Sequence, residues 1–424
     1  MILLYRVLTT LIYPLLLIYI YIRKLKKKED PIRYKEKIFI SHFNIVRKET
    51  KLIWFHAASI GEFKSIIPII EELNTSHNYQ FLISTTTLSS SNLAKEELKR
   101  FDNVQHRFFP FDVSFLINKF LLLWKPDMIF LVDSEIWPNL IFKANQLKIP
   151  MILINARLTY KTFKKWMMFP KSAKKIFSLF NLCLASNTET KNFLEKLNAR
   201  NIYLNGNIKF INKINEQGLE NLNENILINN RFWLAASTHE GEEILCLKTH
   251  LKLKEKYKKI ITIIAPRHIV RVQRIGELCK KYKLDFQILD KGETIFKNKE
   301  IIIINSFGVL QNYFKFAKSV FIGKSIIKKL ENDSGQNPIE AAKMGCKIYH
   351  GPFIYNFKDV YLLLSQKNVS KQVNNYRELV ENLISDFNSP KDNNSAFISL
   401  VKHLEQKILN ESMEKINLFI NENK

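Results

Sequence analysis

The sequence predicts an α/β protein in which a membrane anchor precedes two parallel-sheet domains of similar size. Three observations support this prediction. Short apolar runs of strand length alternate with segments of helical periodicity in two successive tracts of the chain. A polar stretch, Asn212–Asn225, interrupts the alternation between the two tracts. Residues 2–22 form a nearly continuous apolar segment ahead of the first tract.

The predicted domains are residues 1–28 for the anchor and its basic flank, 29–211 for the first sheet domain, 212–385 for the second, and 386–424 for a helical tail. A chain of 424 residues with 46% hydrophobic content has enough apolar material for two cores, which excludes global disorder.

The charge balance is strongly basic. Sixty-five lysines and arginines against 40 aspartates and glutamates give a formal net charge of +25, which favours anionic partners such as phospholipids or a phosphorylated substrate. The basic residues are spread along the chain without an arginine-rich tract or a nucleic-acid motif, so nucleic acid is not predicted as a partner. The four cysteines are far apart in largely apolar segments, and we expect buried free thiols in a reducing compartment.

The apolar segment at residues 2–22 approaches the length of about 20 residues that a bilayer-spanning helix needs, although Arg6 shortens its uncharged part. The basic block Arg23–Lys28 follows it, and no small-residue cleavage site is present. We therefore expect an uncleaved anchor whose basic flank, with the domains that follow, stays on the cytoplasmic side. A spanning helix and a helix lying in the membrane interface both fit this pattern.

The two tracts each predict a parallel sheet covered by helices. The predicted strands of the first are Leu52–His56, Gln80–Ser84, Met128–Val132, Pro150–Ile154, Leu182–Ala185 and Ile202–Leu204, with helices at Leu93–Phe101 and Ile141–Leu147. Those of the second are Phe232–Ala236, Lys259–Ala265, Asp285–Leu289, Glu300–Ile304, Ser319–Ile322 and Lys347–Tyr349, with helices at Glu242–Tyr257 and Ile339–Met344. Since ligands often bind at domain interfaces, a crevice between the domains is the expected site.

Glu62 occupies the first turn of the helix that follows the first strand. In an open α/β sheet this point faces the ligand crevice at the carboxyl ends of the strands. Two interpretations remain open for its carboxylate. It could complement the helix dipole, which is the commoner role on position alone, or it could be a general base directed into the crevice.

Other strand ends of the first domain also carry polar residues. The hydroxyl-rich turn Ser84–Thr87 follows the second strand, Asp133 and Glu135 follow a strongly apolar strand, and Asn155 and Arg157 follow the next one. Three successive strand ends of this kind favour a polar substrate site over capping alone. Lys209 follows the turn at the end of the domain, where a solvated surface lysine is the alternative.

In the second domain, Arg267 ends an apolar strand, where its guanidinium could hold a phosphate in a bidentate fork. Pro338 at a helix start leaves amide donors free, and Asn337 and Glu340 are suited to a ribose or a base, with ordinary helix capping as the alternative. The sequence contains no acidic pair of the DxD type, no HExxH and no His/Cys ligand set. We therefore predict no catalytic metal and no cofactor.

An ordered set of segments covering nearly the whole chain resembles the 3-deoxy-D-manno-octulosonic acid (Kdo) transferases, the lipid A glycosyltransferases of Gram-negative bacteria. The segments are WFHAASIGE, FFPFD, DSEIWPN, NARL, GNIKF, AASTHEGE, PRH, SGQNPIEAA and GPFIYNFKD. Their order and spacing make the resemblance much more specific than any single motif.

The resemblance implies a GT-B fold, in which two Rossmann-like domains face a cleft, the first binding the acceptor and the second the donor. It implies inverting, metal-independent transfer of Kdo from CMP-Kdo to a lipid A precursor, lipid IVA, at the cytoplasmic side of the cell inner membrane, where phospholipids are further partners. The family's catalytic glutamate falls on Glu62, and two residues that stabilise the transition state fall on Asp133 and Lys209. The implied CMP contacts are Pro266, Arg267, Phe307, Gly308, Val309, Asn337, Pro338, Ile339 and Glu340.

The chain departs from the family pattern at a few positions. The family usually has glutamate where Asp133 stands, which leaves Glu135 as the competing carboxylate. Val309 replaces a common acidic residue, Gln336 replaces a histidine, and the Lys328–Ser334 loop is longer. Two other functions stay open: a GT-B glycosyltransferase using another sugar nucleotide on a lipid acceptor, and a non-catalytic membrane protein that binds anionic lipids.

Overall fold

The computed structural model describes residues 2–39, 50–76, 78–212, 221–389 and 395–422. The chain divides into two compact units, Met1–Lys213 with Leu404–Lys424 and Ile214–His403. Within the described residues each unit contains one seven-stranded sheet, and the strand pairs are parallel. The predicted α/β class with two parallel sheets is therefore confirmed. The predicted polar boundary lies partly outside the described residues, at 213–220.

The first unit contains a sheet in the order β3-β2-β1-β4-β5-β6-β7. Its strands are β1 Leu52–His56, β2 Gln80–Thr85, β3 Val104–Phe108, β4 Met128–Val132, β5 Met151–Ala156, β6 Leu182–Ala185 and β7 Ile202–Leu204. Its helices are α1 Ile2–Leu25, α2 Ile60–Ser76, α3 Leu88–Glu97, α4 Ser114–Trp124, α5 Pro138–Gln146, α6 Tyr160–Met167, α7 Pro170–Phe177 and α8 Thr188–Lys196. The strand order reverses between β1 and β4, so the crevice expected in such a sheet opens at their carboxyl ends.

The second unit repeats this architecture in the order β10-β11-β9-β8-β12-β13-β14. Its strands are β8 Arg231–Thr238, β9 Ile260–Pro266, β10 Phe286–Leu289, β11 Ile301–Ile304, β12 Ser319–Ile322, β13 Lys347–His350 and β14 Ser370–Gln372. Its helices are α9 Glu224–Asn229, α10 Glu242–Lys256, α11 Val272–Lys281, α12 Leu310–Phe314, α13 Ile339–Lys343, α14 Lys358–Gln366 and α15 Tyr376–Asn388. The reversal of strand order lies between β8 and β12. A last helix, α16 Ser395–Glu422, begins here and from Leu404 belongs to the first unit.

The central strands are buried along their whole length, which explains why their sequences read as continuous apolar runs. In the first unit, Trp54, Phe120 and Trp124 pack in one core cluster, and Trp233 lies in the core of the second. Full burial of a side chain such as Phe120 stabilises the fold by about 1.5–3 kcal/mol. These cores fix the strand ends from which the polar loops extend.

The apolar segment near the start of the chain forms helix α1. Among the described residues it is the one helix that is long and apolar enough to cross a membrane, judged by length and composition.

Candidate active site

Glu62 lies in the first turn of α2, after β1 and beside the reversal of strand order in the first unit. One carboxylate oxygen accepts the Ala58 N–H at 2.7 Å, and the other accepts the Ser59 hydroxyl at 2.7 Å. The Glu62 N–H in turn donates to the Ser59 hydroxyl oxygen at 3.4 Å. Glu62 therefore takes part in a capping arrangement, which was the first of its two interpretations.

The environment of Glu62 also suits a base. The residue is only 9% exposed. Burial is the main cause that raises the pKa of the Glu62 carboxyl, and the negative charges of Asp133 and Glu135 raise it further, against the lowering effect of the Ser59 and Ala58 hydrogen bonds. A carboxylate with a raised pKa takes up a proton more readily than an ordinary glutamate. Capping and proton acceptance are thus compatible in this residue.

Asp133 and Lys209 form an ion pair beside the Glu62 turn. The Lys209 ammonium lies 2.5 Å from an Asp133 carboxylate oxygen, and both side chains are largely buried. The Lys209 side chain passes over Gly61, whose added Cβ would lie 3.9 Å from the lysine Cε. The structure therefore brings Glu62, Asp133 and Lys209 together in one cluster.

Asn155, which the sequence analysis named as a polar strand-end residue without giving it a catalytic or binding role, orients this pair. Its amide donates to the other Asp133 carboxylate oxygen, and its carbonyl oxygen accepts the Ile208 N–H at 3.0 Å. Asp133 and Asn155 both have left-handed backbones, with φ of 57° and 52°. The sequence signal was the position of both residues at the ends of adjacent apolar runs. Asp133 follows β4 directly and Asn155 lies near the end of β5, and Val132 pairs with Ile154 in the sheet.

Glu135, the competing carboxylate, has different partners. It accepts the Trp137 indole N–H at 2.7 Å and lies 3.2 Å from His56 Nε2. The other ring nitrogen of His56 lies 3.0 Å from the Ser84 hydroxyl, which accepts the Trp54 indole N–H at 2.8 Å. Asp133 thus pairs with the lysine, whereas Glu135 stands at one end of a chain of hydrogen bonds through His56 and Ser84.

A pocket of about 380 Å³ adjoins this cluster within the first unit. Ala58, Glu135 and Trp137 line it on the strand-end side, and Tyr19 and Arg23 line it from α1. Aromatic faces beside a few charged groups are typical of pockets that hold an organic ligand in one orientation.

The residues predicted to contact CMP lie on loops that follow strands of the second sheet. Pro266 is the last residue of β9. The backbone N–H of Arg267 donates to the Thr238 carbonyl at 3.0 Å, and the Arg267 side chain is exposed. Phe307, Gly308 and Val309 follow β11, with Phe307 64% exposed and Gly308 at φ 78°.

Asn337 and Pro338 precede α13, and Ile339 and Glu340 are its first residues. The Asn337 side-chain oxygen accepts the Ile339 N–H at 3.0 Å. This hydrogen bond to the first N–H of the helix is the capping role that was the alternative interpretation of Asn337. Since α12 and α13 pack together, the structure brings the Phe307–Val309 turn and the Asn337–Glu340 turn to the same side of the sheet.

Glu242 is a residue of this unit that the sequence analysis missed. Its carboxylate accepts four backbone N–H groups, from His239, Lys324, Ser325 and Ile326. It thereby ties the loop after β8 to the loop after β12, at the reversal of strand order. Gly323 begins the second loop, where a Cβ would lie 2.5 Å from the Ser237 carbonyl oxygen, so only glycine fits.

No group of three or more His, Cys, Asp or Glu side chains in the described part of the chain is arranged to hold a metal ion. The four cysteines are buried free thiols.

Comparison with known proteins identifies the family. Residues 33–212 match the family model described as 3-Deoxy-D-manno-octulosonic-acid transferase (kdotransferase). A protein of Arabidopsis thaliana named "Probable 3-deoxy-D-manno-octulosonic acid transferase, mitochondrial" is 32% identical over 86% of this chain and 83% of its own length. The 3-deoxy-D-manno-octulosonic acid transferase of Rickettsia prowazekii is 30% identical over 87% of this chain and 80% of its own.

Among solved structures, the UDP-GlcNAc 2-epimerase of Neisseria meningitidis bound to UDP-GlcNAc superposes with a TM-score of 0.58 at 15% identity, covering 88% of this chain and 100% of its own. This likeness supports the GT-B-like fold and carries no conclusion about the reaction. The similarity over most of the chain's length does identify an enzyme: the chain belongs to the Kdo transferase family of glycosyltransferases.

Proposed function

We propose that the chain transfers Kdo from CMP-Kdo to a sugar hydroxyl of a lipid A precursor, lipid IVA, with inversion at the anomeric carbon and without a metal ion. The observation that carries this proposal is the buried Glu62 carboxylate with its raised pKa, beside the Asp133–Lys209 ion pair. Family membership supports Kdo as the transferred sugar, and the lipid A precursor is the acceptor that the sequence resemblance implies.

In the proposed reaction Glu62 is the general base. It accepts the proton of the acceptor hydroxyl while the hydroxyl oxygen forms a bond to the anomeric carbon of Kdo. The bond from that carbon to the phosphate oxygen breaks, and CMP leaves with the electron pair. Each Glu62 oxygen accepts one of the Ala58 and Ser59 hydrogen bonds, so a further lone pair remains for the substrate proton.

Lys209 and Asp133 would stabilise the transition state. The ammonium group provides fixed positive charge near the reacting centre. Its pairing with Asp133, whose other carboxylate oxygen is held by Asn155, limits its rearrangement during the reaction. We propose Asp133 rather than Glu135 for this role, because Asp133 contacts the lysine and Glu135 contacts His56 and Trp137.

The second unit would hold the donor. Arg267 is exposed at the end of β9, where its guanidinium can bind the CMP phosphate. The turns at Phe307–Val309 and Asn337–Glu340 would contact the nucleoside. We further propose that α1 attaches the enzyme to the cytoplasmic face of the inner membrane, where an anionic glycolipid acceptor would be found.

Mass spectrometry of the products tests this function. Purified full-length protein is incubated with lipid IVA and either CMP-Kdo or a UDP-sugar, with and without EDTA. We expect Kdo to be added from CMP-Kdo alone, at a rate that EDTA leaves unchanged. Transfer from the UDP-sugar would support the alternative glycosyltransferase, and no product from either donor would support the non-catalytic lipid-binding protein.

A further inference from the structure

The two carboxylate oxygens of Glu135 have different surroundings. Oε2 accepts the Trp137 indole N–H at 2.7 Å and lies 3.2 Å from His56 Nε2. Oε1 takes part in no hydrogen bond or ion pair with the residues that the structure describes, although the Glu135 side chain is only 16% exposed. Glu135 also lines the pocket of about 380 Å³ beside Glu62. One oxygen is therefore held by the protein, and the other can meet a molecule in the pocket.

His56 does not reach the pocket itself. Its side chain is fully buried at the end of β1, where the ring stacks on Phe109 with centroids 4.0 Å apart and 22° between the planes. The residues that line the pocket include Phe109 but not His56. Any contribution of the imidazole to substrate binding therefore passes through Glu135, the side chain that its Nε2 contacts.

The groups behind His56 favour one tautomer of its ring. An indole N–H can only donate, so the Ser84 hydroxyl oxygen accepts the Trp54 N–H at 2.8 Å. The Ser84 hydroxyl can then donate its own proton to His56 Nδ1, 3.0 Å away, which leaves the ring proton on Nε2, facing Glu135. The opposite tautomer, with Nδ1 donating to the Ser84 carbonyl oxygen at 3.1 Å, would place two acceptors against each other at Nε2 and an ionised Glu135.

The space in front of Glu135 is shared with the proposed base. Ala58 lines the same pocket, and its N–H donates to the Glu62 carboxylate at 2.7 Å. Burial and the Asp133 charge raise the pKa of the Glu62 carboxyl, and the Glu135 charge raises it further, as expected for neighbouring carboxylates. A carboxylate oxygen whose orientation is already fixed can accept a sugar hydroxyl with little loss of conformational freedom.

We propose, on the basis of the transferase function proposed above, that Glu135 orients the acceptor sugar and that His56 is its positioning residue. Glu135 Oε1 accepts a hydroxyl of the acceptor other than the one whose proton goes to Glu62. The Nε2–H of a neutral His56 holds Oε2 and thereby fixes the carboxylate. The two glutamates then engage two hydroxyls of one sugar, one for reaction and one for orientation, and Glu135 has a role separate from that of Asp133.

Acceptor affinity measured without donor tests this proposal. Lipid IVA in detergent micelles is titrated into the full-length protein, and CMP is titrated separately to report on the donor site. Glu135→Ala and His56→Leu should each bind lipid IVA about tenfold or more weakly than the unaltered chain, as expected when a hydrogen bond to a charged group is lost. Both variants should bind CMP as the unaltered chain does.

Conservative variants separate positioning from general support of the fold. In His56→Gln the amide can still donate to Glu135, so lipid IVA affinity should stay within about threefold of that of the unaltered chain. Trp137→Phe keeps a ring beside Phe109 but removes the second N–H donor, and should weaken lipid IVA binding by about threefold to tenfold. Trp166→Phe is the matched control, because Trp166 is half-buried in the same unit and does not line the pocket. Circular dichroism and thermal melting check that each variant is folded.

Unchanged lipid IVA affinity in Glu135→Ala, or equal losses in His56→Leu and His56→Gln, would overturn the proposal. Weaker CMP binding to the same degree would also contradict it, because it would indicate general damage to the fold. If His56→Leu does not fold, Glu135→Ala and Trp137→Phe, at half-buried positions, decide the matter.

The same proteins are then given CMP-Kdo, which separates this proposal from the transferase function. An unaltered chain that binds lipid IVA with the expected losses in the variants, but transfers no Kdo, would contradict the function and support the acceptor contact. Transfer by the unaltered chain together with full lipid IVA affinity in Glu135→Ala would contradict only the acceptor contact. Failure of the unaltered chain to bind lipid IVA would contradict both.

Discussion

At the scale of single residues, Asp133 and Asn155 show how backbone geometry selects between neighbouring side chains. Both have positive φ, and this conformation directs their side chains to each other and to Lys209. The sequence predicted that Asp133 and Glu135 follow one strand, because β4 is a clear apolar run. It could not choose between two carboxylates two residues apart, since the choice depends on the left-handed backbone at position 133. Aspartate adopts this conformation more readily than most residues, but the sequence alone does not assign it to that position.

Removal of the Asp133 charge should impair transfer more than removal of the Glu135 charge. In Asp133→Asn, Lys209 loses its partner, and we expect turnover to fall by about 10²–10³-fold, as for other groups that stabilise a transition state. Glu135→Gln keeps an acceptor for the Trp137 indole and should lose less. Steady-state kinetics of the two variants make the comparison, and a larger loss in Glu135→Gln would transfer the role to that residue.

The pH dependence of turnover should follow Glu62. A general base acts in its ionised form, so turnover should rise with pH through a pKa above that of an ordinary glutamate. The Asp133 charge raises this pKa, so Asp133→Asn should move the rising limb to lower pH. The pH–rate profiles of both proteins provide the measurement. If the rising limb of the Asp133→Asn profile lies at the same pH as that of the unaltered protein, the Asp133 charge does not raise the pKa of Glu62.

At the scale of secondary-structure elements, the sequence located all the interior strands and two of the four edge strands, β7 and β10. Both missed strands, β3 and β14, lie at sheet edges. Their side chains are partly exposed and polar, so neither forms the apolar run that marks a central strand. The predicted helices at Leu93–Phe101 and Ile141–Leu147 were placed too late. The first begins at Leu88, capped by Thr87, and the second begins at Pro138, so their polar first turns were mistaken for loop.

Asp112 joins two helices and should contribute measurably to stability. Its carboxylate accepts the Asn139 and Leu140 N–H groups at the start of α5, each at 2.9 Å, and the Tyr5 hydroxyl of α1. Burial raises its pKa to about 6, so it is ionised above that pH. Asp112→Ala leaves these donors without their acceptor and should lower the free energy of unfolding by about 1–3 kcal/mol. Denaturant unfolding at pH 7.5 measures the free energy of unfolding, and Asp102→Ala, at an exposed position, is the control. Equal free energies of unfolding for Asp112→Ala and Asp102→Ala would contradict the capping role.

At the scale of the whole molecule, the chain returns to its first unit after completing the second. The Asn205 amide donates to the Ser412 hydroxyl of α16 at 2.5 Å, and Ile416 and Ile420 of that helix are fully buried. The sequence showed helical periodicity in this tail, but only long-range packing determines which unit the tail joins. Periodicity along a helix identifies a buried face without identifying the surface that covers it.

Removal of residues 404–424 should destabilise the first unit. The truncated chain loses the Ser412 hydrogen bond and the side chain of Ile408, which lies 3.4 Å from the Cβ position of Gly206. We expect a lower midpoint of thermal unfolding and weaker hydrogen-exchange protection in β6 and β7. Deletion of residues 423–424 alone is the control. Unchanged protection in the longer truncation would show that the last helix does not support this unit.

Family membership accounts for the donor and the reaction class, whereas the role of Glu62 depends on its surroundings. From sequence alone, its position at a helix start favoured a capping charge. The structure shows the capping hydrogen bonds together with the burial and neighbouring charges that raise its pKa. The central claim is that this capping glutamate is also the base.

Turnover of Glu62→Gln with CMP-Kdo and lipid IVA tests that claim most directly. Glu72→Gln is the matched control, because it makes the same change at an exposed position of the same helix. We predict that Glu62→Gln remains folded, by circular dichroism and thermal melting, while its turnover falls by about 10²–10⁴-fold and Glu72→Gln stays fully active. A folded Glu62→Gln variant with turnover close to that of Glu72→Gln would contradict the account.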